Sequence, residues 1–260
     1  MRVSKIIIVL SVLFSALPVY GSLTDGLVAH WTFDEPSGNI AYDSAGSNNG
    51  TLQGNATRVA GQVGDYALYF GDQRYDYVQG NTSPFNFANT TFTLSGWFKT
   101  TSNIFIASEG AYEQSGWGLD IQSTKIHFQL KNGSYDSYYA WSSSSQVYND
   151  GSWHLVTAVI TTNTVSTLGN DVEVYVDGLP IGLSENNVKP YAYSSNNWKI
   201  GSLQLTVGNM TGYQGFVDDV RIYDRELSAD EVLQLYQIPE PATLFLLGAG
   251  FLFLIRKKEK

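Results

Sequence analysis

Residues 26–33 read GLVAHWTF, and within them Leu27, Ala29, Trp31 and Phe33 alternate with Val28, His30 and Thr32. Successive side chains leave a pleated backbone on opposite sides, so a period of two marks a strand with one buried and one wetter face. The same pattern returns in YALYF (66–70), TFTLSGWF (91–98), NIFIAS (103–108), WGLDI (117–121) and KIHFQL (125–130). It continues in WHLVTAVIT (153–161), DVEVYVDG (171–178), NWKIGS (197–202) and GFVDDVRIY (215–223). Turn formers separate these runs: SNNG (47–50), KNGS (131–134), NDGS (149–152) and VDGLP (176–180). Ten or more short strands in one Gly-rich, Tyr-rich chain predict an all-β fold of two packed antiparallel sheets. One helix is expected, at LSADEVLQLYQ (227–237). Ser228 is a good N-cap with Glu231 three residues on, and Val232, Leu235 and Tyr236 form a stripe able to dock on a sheet.

The two ends read differently. Arg2 and Lys5 precede an apolar run from Ile6 to Leu17, and Val19-Tyr20-Gly21 places small residues where a signal peptidase cuts, so residues 1–21 read as a secretory signal peptide. At the other end Pro239-Glu240-Pro241 blocks any helix entering from the preceding domain. An apolar run of 14 residues, Ala242 to Ile255, follows, and then Arg256-Lys257-Lys258. Crossing a bilayer core takes roughly 20 helical residues, so this run is short for a permanent anchor. Motif, apolar span and basic end together resemble the PEP-CTERM sorting tail of bacterial surface and secreted proteins, with Ile238 where Val is usual. The resemblance implies processing by a membrane-embedded exosortase, a tail over 239–260 that holds the membrane only transiently, and a Gram-negative-type host.

Between the ends lies one domain, residues 22–238, long enough to bury a sizeable core. The chain has no cysteine, so the fold rests on its core or on bound metal and not on disulfides. Trimming the ends removes six of 15 basic and two of 24 acidic residues, leaving nine and 22, net −13. Such a domain repels nucleic acid, anionic lipid and polyanionic sugars as main partners, and it suits cations and neutral glycans.

Three stretches within this domain carry a second resemblance: GLVAHWTFDEPSGNIAYDSAGSNNGTLQG (26–54), WHLVTAVI with VEVYVDGLPIG (153–182), and GFVDDVRIYDRELSADEVLQLY (215–236). They are similar, in the right order, to the laminin-G-like jelly roll, a concanavalin A-like sandwich. YFGDQRYDYVQG departs from the family pattern because Gly71 and Asp72 are exchanged. The resemblance implies structural calcium at the sandwich rim, held by Asp34 after the first strand and Asp218 entering the last, with Asp219 and Asp43 as secondary ligands. Read as plain chemistry, Asp34 is equally a turn hydrogen-bonder and Asp218 a partner for Arg221.

Catalytic signals are weak. Glycan-cleaving relatives set two or three carboxylates at alternate positions of one strand. Here only Asp171, Glu173 and Asp177 share parity, opposite a buried face of Val172, Val174 and Val176, and Asp177 belongs to an Asp-Gly turn. The three histidines, His30, His127 and His154, have no zinc-ligand spacing, and no strand-turn-helix serine elbow occurs. Aromatic residues offer more. NGSYDSYYAWSSSSQVYNDGSW (132–153) reads as a polar connection bearing Tyr138, Tyr139 and Trp141, flat rings of the kind that stack on sugars, and Trp117 joins them if it faces outward. The expected function is therefore noncatalytic binding or adhesion outside the cell, to extracellular polysaccharide or a surface protein. The alternative is a glycoside-active enzyme on the same fold.

Overall fold

The computed structural model describes residues 21–238 apart from 72–74, 83–84, 86, 88–89, 110–115, 133–135, 143–145, 162–170, 187–196 and 203–213. In chain order the strands are β1 (Leu27–Trp31), β2 (Ile40–Ala41), β3 (Gly50–Gln53), β4 (Thr57–Ala60), β5 (Tyr66–Phe70), β6 (Tyr77–Thr82), β7 (Phe92–Lys99), β8 (Ile104–Glu109) and β9 (Gly116–Gln122). There follow β10 (Lys125–Asn132), β11 (Asp136–Ser142), β12 (Trp153–Thr161), β13 (Asp171–Val176), β14 (Leu179–Pro180), β15 (Leu183–Asn186), β16 (Asn197–Ile200) and β17 (Gly215–Tyr223), and then helix α1 (Ala229–Tyr236). Two sheets form, an eight-stranded one ordered β14-β13-β12-β7-β17-β5-β4 with β1 added on β17, and a nine-stranded one ordered β15-β11-β10-β9-β8-β16-β6-β3-β2. Every described ladder is antiparallel. The first and last strands pair with each other, and neighbours in space are often far apart in sequence, as in a jelly roll.

The inward positions of both sheets make one core, including Trp31, Phe33, Phe92, Phe98, Leu119, Phe128 and Trp198. Trp31 and Trp198 meet at 4.4 Å. Gly80 is part of this packing, since a Cβ there would overlap the Trp198 indole. The alternation in β1 holds from Ala29 onward, with Ala29, Trp31 and Phe33 fully buried. It breaks at Leu27: a register shift between Leu27 and Ala29 sends Leu27 to a second cluster while Val28 packs on the main core.

That second cluster lies on the outer face of the eight-stranded sheet, where Trp97, Leu155, Val159, Tyr175 and Tyr223 meet Val232 and Leu235 of α1. The helix has its expected start: Ser228 Oγ accepts from the Glu231 N–H, and Glu231 reaches back to the Ser228 N–H. Arg225 clamps Glu231 through a 2.7 Å contact and holds its carboxyl down at about 2. Tyr236 stacks on Trp97 at 5.7 Å. Among the described residues no helix is long and apolar enough to cross a membrane.

Candidate functional site

Register sets a row of side chains across the outer face of the eight-stranded sheet, beside the part that α1 covers. Trp153 pairs with Lys99, Lys99 with Phe216, and Phe216 with Tyr69, so β12, β7, β17 and β5 each contribute one residue. Their chain neighbours Phe98 and Val217 point into the core, while the four of the row are half-buried. Tyr69 and Phe216 lie 4.9 Å apart and tilted at 42°, and Trp153 meets Phe216 edge-on at 6.1 Å. Lys99 Nζ stands 5.6 Å from the centre of the Phe216 ring, within cation–π range. Tyr69, Lys99 and Phe216 wall an open pocket of about 330 Å³. Its polar rim is braced: Thr100 Oγ1 donates to the Gln214 carbonyl at 2.6 Å, and the Gly151 N–H donates to the Thr100 carbonyl at 2.9 Å.

These residues carry no sequence motif. The only signal for them is an aromatic or basic side chain at the solvent parity of four separate strands, and it becomes a site only through the register that joins positions 69, 99, 153 and 216.

The aspartates implied as calcium ligands hold one hairpin between them. Asp34 Oδ1 accepts from the Asp65 and Tyr66 N–H groups at 2.6 and 3.0 Å, and Asp218 Oδ2 accepts from Gln62 and Val63 at 2.8 and 2.9 Å. All four donors lie in or beside the β4–β5 turn, where Gly64 has φ +70° and packs on the Asp34 carboxylate. Asp218 does not pair with Arg221; that guanidinium takes Asp219 at 3.1 Å. The cause is a bulge in β17, with Asp219 at φ +47°, which aims the two neighbouring carboxylates differently. Asp218 is fully buried and its Oδ1 has no partner. Burial pushes its carboxyl up to about 8, although the Val63 and Gln62 N–H groups favour the anion. Burial acts on Asp219 in the same sense, but His30 and Arg221 outweigh it and hold that carboxyl below its usual range. Asp43 is saturated: its two oxygens accept from the backbone of His30, Ala45, Gly46 and Asn48 and from the Asn48 side chain. No group of three or more His, Asp or Glu suited to a metal ion occurs among the described residues.

Each histidine pairs with an aspartate, a feature the sequence reading missed. His154 Nδ1 meets Asp177 at 2.8 Å, and that bond, against burial, raises the imidazole. His127 Nδ1 meets Asp120 at 2.7 Å on adjacent strands of the nine-stranded sheet, with both residues buried. His30 Nε2 meets Asp219 at 2.6 Å while its Nδ1 lies 3.1 Å from Ser44 Oγ, a Ser-His-Asp line. Its members are engaged in other bonds. Ser44 Oγ donates to the His30 carbonyl, Arg221 shares Asp219, and the nearby Ala45 and Gly46 N–H groups are spent on Asp43, so these two do not serve as oxyanion donors.

Of the rings expected to stack on sugar, Trp117 turns inward. It shares parity with Leu119 and Ile121, is 2% exposed, and its indole N–H donates to Glu109 at 2.9 Å. Residues 136–142, read as part of a connection, form strand β11 instead. Tyr139 stands opposite Gln129, Trp141 opposite His127, and Tyr138 opposite the core residue Leu130. The side chains of Tyr138, Tyr139 and Trp141 lie outside those described, as do residues 1–20 and the sorting residues Pro239, Glu240 and Pro241.

Comparison with known proteins follows the fold. A family model described as "Concanavalin A-like lectin/glucanases superfamily" matches residues 70–233. The chain belongs to that superfamily. Residues 237–258 match the PEP-CTERM protein-sorting motif, which marks this concanavalin A-like protein as exported, sorted to the cell surface of a Gram-negative-type bacterium and processed by an exosortase. Similar solved structures are binding domains. That of Paraclostridial Mosquitocidal Protein 1 has a TM-score of 0.63 and 17% identity, over 83% of this chain and 52% of that one. The binding domain of botulinum neurotoxin DC in complex with rat synaptotagmin II gives 0.61 and 16%, and its complex with SialylT gives 0.60 and 17%, with the same coverage. The chain spans about half the length of these structures, and at such identities the likeness is one of fold.

Proposed function

We propose that this protein is a noncatalytic glycan-binding module, exported by its signal peptide and displayed at the cell surface or in the extracellular matrix. The sugar ring stacks on the Tyr69–Phe216–Trp153 row. One observation carries this reading: two half-buried rings on adjacent strands, Tyr69 and Phe216, wall an open pocket with a braced polar rim, and Trp153 packs edge-on against Phe216 beside it. The solved neighbours are binding domains, one in complex with rat synaptotagmin II and one with SialylT, and this supports binding over catalysis as the use of this fold. A glycan array run beside a reducing-end assay tests it. The expected outcome is retention of particular glycans without release of reducing ends, and loss of retention by at least tenfold in Phe216→Leu. Release of reducing ends that survives Phe216→Leu would favour the enzyme reading. Its best footing is the buried Asp120–His127 pair, but no second carboxylate with a described side chain stands beside it in the register rows of β8 to β10.

Structural calcium remains part of the proposal. The orphaned, buried Oδ1 of Asp218 is what supports it: a carboxylate oxygen without a donor is one that a cation would satisfy, and Asp34 would share the ion. When bound, calcium would supply the countercharge that lets Asp218 ionise.

A further inference from the structure

We propose that the pocket selects a pyranose bearing a carboxylate, a uronic acid residue, and that Lys99 is the residue that reads the charge. The proposal rests on the glycan reading of the Tyr69–Phe216 pocket and specifies its ligand. The domain is strongly acidic, and several of its described cations are occupied: Arg58 bonds Glu35 at 2.9 Å, Arg221 bonds Asp219, Arg225 bonds Glu231, and Lys199 is buried over the Tyr77 ring at 4.1 Å; Lys125 lies on β10 of the other sheet, away from the pocket. Lys99 has no carboxylate partner among the described residues. It stands instead over the Phe216 ring and lines the pocket wall, half-buried. A neutral sugar needs the ring face and the rim alone. A ring with one carboxylate uses the face and also neutralises a cation that the fold otherwise leaves uncompensated. One carboxylate per bound ring is compatible with the acidic domain, whereas a dense polyanion is repelled by it.

The full-length chain in mild detergent is titrated calorimetrically with cellobiose and with the matched disaccharide ending in glucuronic acid. The acidic disaccharide is expected to bind about tenfold tighter at low salt, with the gap narrowing as salt rises. Lys99→Gln is expected to abolish the preference, bringing the ratio of the two affinities to about one, and the melting temperature verifies folding. Equal affinity for both sugars in the wild type, or an acid preference that survives Lys99→Gln, would overturn this inference and leave the glycan reading standing. Binding of neither sugar, with Phe216→Leu silent on the array, would sink both. Free acetate competing as well as the disaccharide would reduce the site to an ion pair and also overturn the inference.

Discussion

At Asp218 a single carboxyl group shows how folding and ligation are coupled. Its folded pKa of about 8 lies far above that of an exposed aspartate, so the folded state holds a proton that the unfolded chain releases near pH 4. The stability that this proton supports is fully present below about pH 4 and is lost as the pH rises toward about 8. Asp218→Asn keeps an acceptor for Gln62 and Val63 and cannot ionise. In chelator, its melting temperature should therefore gain on the wild type between pH 5 and pH 8. Millimolar calcium should reverse that order, raising the wild type by several degrees and leaving Asp218→Asn unmoved. A wild-type curve that is flat with pH and indifferent to calcium would show Asp218 to be a hairpin clamp and nothing more. The sequence pointed to Asp34 and Asp218 as a pair, and both do grip one turn. That they grip it through backbone N–H groups, and that Arg221 goes to Asp219, follows from a bulge that no local pattern announces.

Elements differ in how legible they are, and the difference is one of range. The capping box of α1 was readable because Ser228 and Glu231 are three residues apart and interact whatever the rest of the chain does. The burial of Ala29, Trp31 and Phe33 was readable for the same reason, and it fails at Leu27 because a register shift there inverts the parity. The row of Tyr69, Lys99, Trp153 and Phe216 was not readable, since it exists only once β5, β7, β12 and β17 are placed side by side. Trp117 was misplaced as a possible outward ring because its Gly-rich flanks, SGWGLD, hide the parity that Leu119 and Ile121 reveal. A local device also gives a local test. Glu231 has its carboxyl held at about 2 by Arg225 first, so its contribution is present above about pH 4.5 and fades as the pH falls toward 2. Glu231→Gln should lower the melting temperature at pH 7 by several degrees, consistent with roughly 1 to 2 kcal/mol for a cap and ion pair together. The gap between variant and wild type should close by pH 2. A gap of the same size at pH 2 and pH 7 would mean that packing of α1, and not the Arg225–Glu231 pair, carries the effect.

At the scale of the whole molecule, two sheets share one core, and their outer faces have different fates. The eight-stranded sheet gives part of its outer face to α1 and leaves beside it the aromatic pocket with Lys99. The nine-stranded sheet buries polar residues such as Asp120, His127 and Gln129 on the side away from the core. We read the open, ring-lined pocket of this surface-sorted protein as the place that holds its ligand. Chemical-shift mapping on titration with the glycan selected by the array tests this most directly, because it locates binding on one sheet or the other. Shifts should concentrate at the Trp153 indole N–H and at the amides of Lys99–Thr101, Gly151 and Gln214–Phe216, with the glycan recovered at its original length. Shifts centred instead on residues 118–130 of β9 and β10, or a glycan shortened during the titration, would contradict it.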